Sequence, residues 1–214
     1  MKQILGLLLF TTLFFSCGGR RNQMSPEELA HKLDSVKAVE IKEKLKMQGI
    51  NLESSDNPFK VFFDSLNIQP LPISYSEDYV NFLPGFQDVP KEILSNMDVQ
   101  GGEHPKAISL PETIGAKLMI LAIDEADNLY SLWLYSLDND YIPIDKLCLY
   151  AIEDKEDDID PEEFIQYFSI TSDFEIHLID YSKTRNTTQS EEIYYIDASR
   201  KFMLRESSVD ETRP

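Results

Sequence analysis

Apolar residues recur in strand-sized runs through the second half of the chain. Residues 116–123, 130–137, 146–152, 164–171, 175–181, 192–196 and 201–204 are each rich in Ile, Leu, Tyr or Phe. Polar clusters separate them: Asp124-Glu125-Ala126-Asp127-Asn128, Asp138-Asn139-Asp140, Ser172-Asp173 and Asp197-Ala198-Ser199. These residue types bond their own backbone and tolerate turn conformations. Connections this short bring consecutive strands together antiparallel. Phe174, Ile176 and Leu178 alternate with Glu175 and His177, so one face of that strand is expected to be wet. Residues 116–123 are apolar almost without a break, as in a central strand covered on both sides. The predicted fold is mainly β, of the α+β kind: a twisted antiparallel β-meander over 113–206 with an N-terminal helix. A barrel-like or propeller-like curl is compatible with the pattern, but no exact repeat period establishes propeller blades.

Upstream, Ser25-Pro26-Glu27-Glu28 has the form of a helix start, with Ser25 as N-cap, Pro26 in the first position and Glu28 closing a capping box. Leu29, Leu33, Val36 and Leu45 fall near one side of the turn that follows, and Gly49 is a natural stop. A helix is therefore predicted over 25–49, packing on the domain or spacing it. Residues 50–112 are interrupted by prolines at 58, 70, 72, 84, 90, 105 and 111. The segment reads as short strands and turns with one small helix over 91–97. Its rings, Phe82 and Phe86 among them, have enough apolar area to reward ordering; they are read as core, with a binding groove as the alternative.

The remaining pattern lies at the start. Lys2 is followed by a nearly unbroken apolar run over 4–15, and then by Ser16-Cys17-Gly18-Gly19. The run falls short of the roughly 18 residues that span a bilayer. A positive first segment, an apolar core and small residues beyond it make a signal peptide. The segment resembles the lipobox signal of bacterial lipoproteins, although Phe14 and Phe15 stand where that family prefers Leu and a small residue. The resemblance implies a diacylglyceryl group on the Cys17 thiol, cleavage before it and a further acyl chain such as palmitate on its amino group. Residues 1–16 would then be the signal and 17–24 a lipidated tether. Gly18 differs from the Asp of an inner-membrane retention signal, so the expected location is the bacterial cell envelope, at the periplasmic face of the outer membrane.

Charge and cysteine content agree with such an anchor. The chain carries 38 acidic and 20 basic side chains, for a formal net charge of −18. A surface this acidic repels phosphate backbones, which excludes nucleic acid as the expected partner. Cys17 and Cys148 are the two cysteines, so a lipidated Cys17 leaves no intramolecular disulfide. Cys148 sits among apolar neighbours and is read as a small buried hydrophobe.

Chemical motifs are scarce. The sequence contains no nucleophile elbow, zinc-protease helix, phosphate-binding loop, paired-cysteine motif or dinucleotide fingerprint. Residues 153–163 supply many carboxylates but lack the glycine and terminal Glu of a calcium-binding hand, so a solvated acidic loop is expected. Glu175 and His177 share a strand face, where a cross-strand contact is the ordinary role and acid/base work the sharper one. Asn186-Thr187-Thr188 reads as an exposed turn. No metal, cofactor or catalytic residue is expected. The functional expectation is a lipid-anchored protein-interaction or accessory subunit held to the membrane by covalent lipid. A glycan- or solute-binding lipoprotein using Trp133 or the tyrosines is the alternative, followed by an enzyme with dispersed carboxylates. Residues 207–214 read as a polar tail.

Overall fold

The computed structural model describes residues 26–47, 57–95, 97, 104–126, 129–151 and 164–209. Met1–Val36 and Lys37–Pro214 are separate compact units. Helix α1 (Pro26–Met47) begins at the predicted proline and runs across that boundary. In the first unit Leu33 and Val36 are exposed, so the anticipated apolar stripe is not buried there. In the second unit Leu45 is buried, and Lys42 pairs with Glu92 at 2.6 Å.

The second unit continues with α2 (Pro58–Ser65), β1 (Ile73–Ser74), α3 (Glu77–Phe82), β2 (Gln87–Asp88) and α4 (Lys91–Leu94). Eight strands follow: β3 (Lys106–Thr113), β4 (Ala116–Ala126), β5 (Leu129–Leu137), β6 (Pro143–Tyr150), β7 (Phe164–Ile170), β8 (Ile176–Ser182), β9 (Thr187–Ile196) and β10 (Phe202–Val209). They form two antiparallel sheets of five strands, ordered β2-β3-β4-β5-β6 and β1-β7-β8-β9-β10. The strands predicted from 116 onward are present, and β9 and β10 extend beyond their predicted limits. The meander is divided after β6, and neither sheet closes on itself. Strongly twisted sheets of about ten strands tend to curl or split, and splitting lets one sheet cover the other.

Two cores follow from the strand period of two. On one face of the first sheet Ile108, Leu118, Ile120, Leu132 and Leu134 meet Phe168, Ile170, Ile176 and Leu178 of the second sheet. On the opposite face Met119, Leu121, Tyr135 and Leu137 pack against Phe59, Phe62 and Phe63 of α2 and Ile93 and Leu94 of α4. Adjacent residues of β4 therefore enter different cores, which explains its continuous apolar run. The second sheet has one face in a core, as its alternating sequence requires.

The Pro-containing segment is more regular than expected. Val61-Phe62-Phe63 lies in a helix, because Asn57 caps Lys60 N–H at 2.9 Å, Pro58 takes the first turn, and Phe59, Phe62 and Phe63 share one side. Tyr79 and Val80 are likewise helical in α3, capped by Ser76. Strand β3 runs through Pro111, which the sequence pattern takes as a boundary. It is tolerated where the β3–β4 register shifts, between Leu110 and Thr113.

Three hairpins repeat one turn design. Asp138, Thr171 and Asp197 each accept a backbone N–H from the residue three positions on, and a left-handed residue closes the turn: Tyr141 (φ 65), Phe174 (φ 64) and Arg200 (φ 67). Asp138 and Asp197 add side-chain bonds to N–H groups two and four residues ahead. A left-handed non-glycine residue costs roughly 1–2 kcal/mol. Tyr141 offsets that cost by burial in the helix-side core, and Phe174 packs against the inter-sheet core. Arg200 has no place in either. Arg200→Gly is expected to leave stability unchanged or raise it by about 1 kcal/mol, whereas Tyr141→Gly lowers it by about 3 kcal/mol. Thermal or urea unfolding of the two variants measures the difference.

Candidate interaction surface

The second sheet presents its other face away from both cores. Register places Ser169, His177 and Ile193 in one row, and Tyr167, Ile179 and Glu191 in the next. Ile165 opposes Tyr181, and Met203 opposes Tyr195. Ile165, Tyr167, Ile179, Tyr181, Ile193 and Tyr195 are each half-buried, and none belongs to either core. The wet face anticipated from Glu175 and His177 thus turns apolar and aromatic farther along the strand. Ser169, His177 and Glu191 are interspersed among these apolar side chains, so the face is mixed in character.

Its charged groups hold one another across strands. His177 Nδ1 lies 3.3 Å from Glu191, while Glu175 pairs with Arg205, whose guanidinium sits 5.2 Å from the centre of the Tyr195 ring. Glu175 and His177 therefore have different partners, and the arrangement is the ordinary cross-strand one. Tyr181 donates to Asn186 at 2.7 Å, which ties the 186–188 turn to the sheet. On the core side, burial and the hydrogen bond to Glu192 push the Tyr194 hydroxyl up to about 12.

A tyrosine cluster continues from this face toward β1. The Tyr75 ring lies 5.6 Å from Tyr150 and 4.9 Å from Tyr167, and Tyr167 lies 5.8 Å from Tyr181. Burial raises the pKa of both Tyr75 and Tyr150. Trp133 takes no part: it packs against the helix-side core, donates to Ser131 at 3.2 Å and carries the Lys146 ammonium 5.4 Å from its ring centre. Cys148, opposite Trp133 on β6, is half-buried where full burial was expected. Phe86 packs against the inter-sheet core, but Phe82 is 74% exposed, contrary to a core role. Cys17 and the 153–163 acidic run lie outside the described residues. Among the described residues no group of three His, Cys, Asp or Glu side chains could hold a metal, and no helix is long and apolar enough to cross a membrane.

Sequence reasoning missed a polar clamp on the helix side of the first sheet. Tyr141 donates to Asp64 at 2.8 Å, and Lys60 donates to Asp64 at 2.5 Å and to the Tyr141 oxygen at 2.9 Å. Lys60 and Lys117 lie 4.8 and 4.9 Å from the Tyr141 ring centre, and Lys117 pairs with Glu112. Burial alone would raise the Asp64 carboxyl, but the bonds from Lys60 and Tyr141 outweigh it and hold the group below its ordinary 3.8. Hydrogen bonds to Asp64 and Tyr141 raise Lys60, and the Glu112 bond raises Lys117. Each cation faces a carboxylate, so the cluster fastens α2 to the β5–β6 turn. The Lys60–Asp64 spacing of four was its visible half; Tyr141 is far away in sequence.

No family model, curated protein or solved structure matches the chain. The functional reading rests on the surface itself.

Tyr141→Phe removes the hydroxyl bridging Asp64 and Lys60 and is expected to lower stability by about 1 kcal/mol at neutral pH. A carboxylate whose folded pKa is depressed stabilises above its unfolded pKa, and that contribution disappears as pH falls through the folded value. The variant's Asp64 carboxyl should titrate nearer 3.8, and its stability should fall less steeply in that acid range. NMR titration of Asp64, with urea unfolding at neutral and acid pH, tests both expectations.

Proposed function

We propose that this chain is a lipid-anchored envelope protein that works by binding another protein, with the outer face of the second sheet as its recognition surface. The half-buried Ile165, Tyr167, Ile179, Tyr181, Ile193 and Tyr195 of this face carry the reading. A face that mixes these apolar side chains with the His177–Glu191 and Glu175–Arg205 pairs offers both apolar area and polar contacts to a partner. The signal-like start and Cys17 supply the anchor in this proposal, so the domain needs no basic patch to stay at the membrane. A glycan-binding role is the second reading, favoured by the neighbouring rings of Tyr75, Tyr150, Tyr167 and Tyr181, since sugars stack on aromatic surfaces.

Affinity capture of the C-terminally tagged chain from gently solubilised native membranes tests the first reading. The wild type should bring down one protein in near-stoichiometric amount, and Ile179→Lys should lose it while melting like the wild type. Labelled fatty acid should enter the wild type and not Cys17→Ala. Equal labelling of both would remove the anchor. A wild-type chain that emerges alone and monodisperse would remove the protein partner, and glycan binding abolished by Tyr167→Ala would establish the second reading.

A further inference from the structure

The two sheets differ in how their edges are finished. The β3 edge is covered by β2 and by residues 67–69, with Gln69 N–H bonded to Ser109 O at 2.8 Å and Ser109 N–H to Asn67 O at 3.1 Å. Strand β1 covers one end of β7. Strand β6 carries Pro143 and Lys146, residues that discourage further pairing. Strand β10 ends the second sheet with eight residues, neither Pro nor Lys among them. Met203 is 42% and Leu204 48% exposed. The Phe202 N–H is taken by Asp145 Oδ2 of β6 at 2.9 Å, so the template for one more strand is the part of the edge from Met203 onward.

Its register identifies which strand fits. Leu204 opposes Tyr194 and Glu206 opposes Ile193, so Arg205 is an extra residue in a bulge. Arg205 reaches Glu175 and Tyr195 on the outer face, and Glu206 shares that face with Ile193 and His177. The strand therefore reads inward at Leu204 and Ser207, and outward at Met203, Arg205, Glu206 and Ser208. That order is a palindrome about the Arg205–Glu206 step. Antiparallel pairing about a two-fold axis normal to a sheet must match inward with inward residues and outward with outward ones. A strand without the bulge could not oppose residues 205 and 206 in this way, because they would point to opposite faces.

We propose that two copies of this chain associate by antiparallel pairing of β10 with β10, about a two-fold axis at the Arg205–Glu206 step. Arg205 of each copy then faces Glu206 of the other, Leu204 faces Ser207 and Met203 faces Ser208. These are the only two charges in β10, and both are matched. Shifting the register so that the two-fold falls on Arg205 or on Glu206 opposes like charges and mismatches the faces. A bulge ordinarily protects an edge by unbalancing the residue count; here each copy contributes the same extra residue, so the counts agree. The second sheets join as one ten-stranded sheet, and their outer faces become continuous. The pairing requires neither the anchor nor the partner proposed for the outer face.

Charge reversal tests it by sedimentation equilibrium on the purified full chain in about 0.15 M salt, where the long-range repulsion of two acidic bodies is screened. The wild type should form a concentration-dependent dimer. Arg205→Glu and Glu206→Arg should each weaken it by roughly tenfold or more, because each places like charges opposite twice. The double reversal Arg205→Glu/Glu206→Arg should restore it. Hydrogen exchange should show β10 amides gaining protection with concentration in the wild type and the double variant. Thermal melts confirm that each variant folds. A wild type that stays monomeric overturns the proposal. So does a dimer indifferent to both single reversals, or one that the double reversal fails to restore.

Discussion

A sheet with no wet face constrains the rest of the second unit. Strand β4 sends Leu118, Ile120 and Ala122 toward the second sheet and Met119 and Leu121 toward the helices, and all five are essentially inaccessible. Such a strand cannot remain in water on either side, so both covers must form. Burial of each large aliphatic side chain contributes roughly 1.5–3 kcal/mol. Truncation in so closed a site costs about 2–5 kcal/mol. The Phe-rich helix α2, the short α4 and the clamp from Asp64 and Lys60 to Tyr141 are consequences of that requirement. They keep one cover in place, while the inner face of the second sheet provides the other.

The second sheet does a different job. Its inner residues Phe168, Ile170, Ile176 and Leu178 complete the shared core, and its outer residues are left to solvent or to a partner. An apolar outer face would be a liability on a strand-rich body unless its edges were controlled. Strands β1 and β2, each of two residues, and the 67–69 segment finish other edges at little expense of chain. Strand β10 is finished by a bulge at Arg205 beside Glu206, the feature on which the proposed pairing rests. Buried core, half-buried sheet face and bulged edge are the features on which the proposed association rests.

The parts of the fold written in local chemistry were legible in the sequence. The Asp138, Thr171 and Asp197 turns lie in or beside the polar clusters separating the apolar runs, and the continuous run at 116–123 marked the central strand. The division into two sheets was not legible, because strand alternation states which residues share a face and not which face meets which. Helices α2 and α3 were missed because they contain about two turns or fewer, too short for apolar spacing to distinguish them from strands. Pro111 misled in the opposite sense: a bulge at the sheet margin accommodates it within β3. Glu175 and His177 lie on the outer strand face that the alternation assigned them, but their partners Arg205 and Glu191 come from other strands. Tyr141 was hidden for the same reason, since its contacts with Lys60 and Asp64 join residues 77 or more positions apart.

Site-resolved amide hydrogen exchange under native conditions tests the dependence on the first sheet most directly. If the doubly covered sheet is the constraint on which the second unit rests, the β4 and β5 amides should be the slowest, exchanging only through global unfolding, with those of β8 and β9 opening earlier. Slower exchange in β8 and β9 than in β4 and β5, or local opening of β4 while the second sheet stays protected, would contradict it.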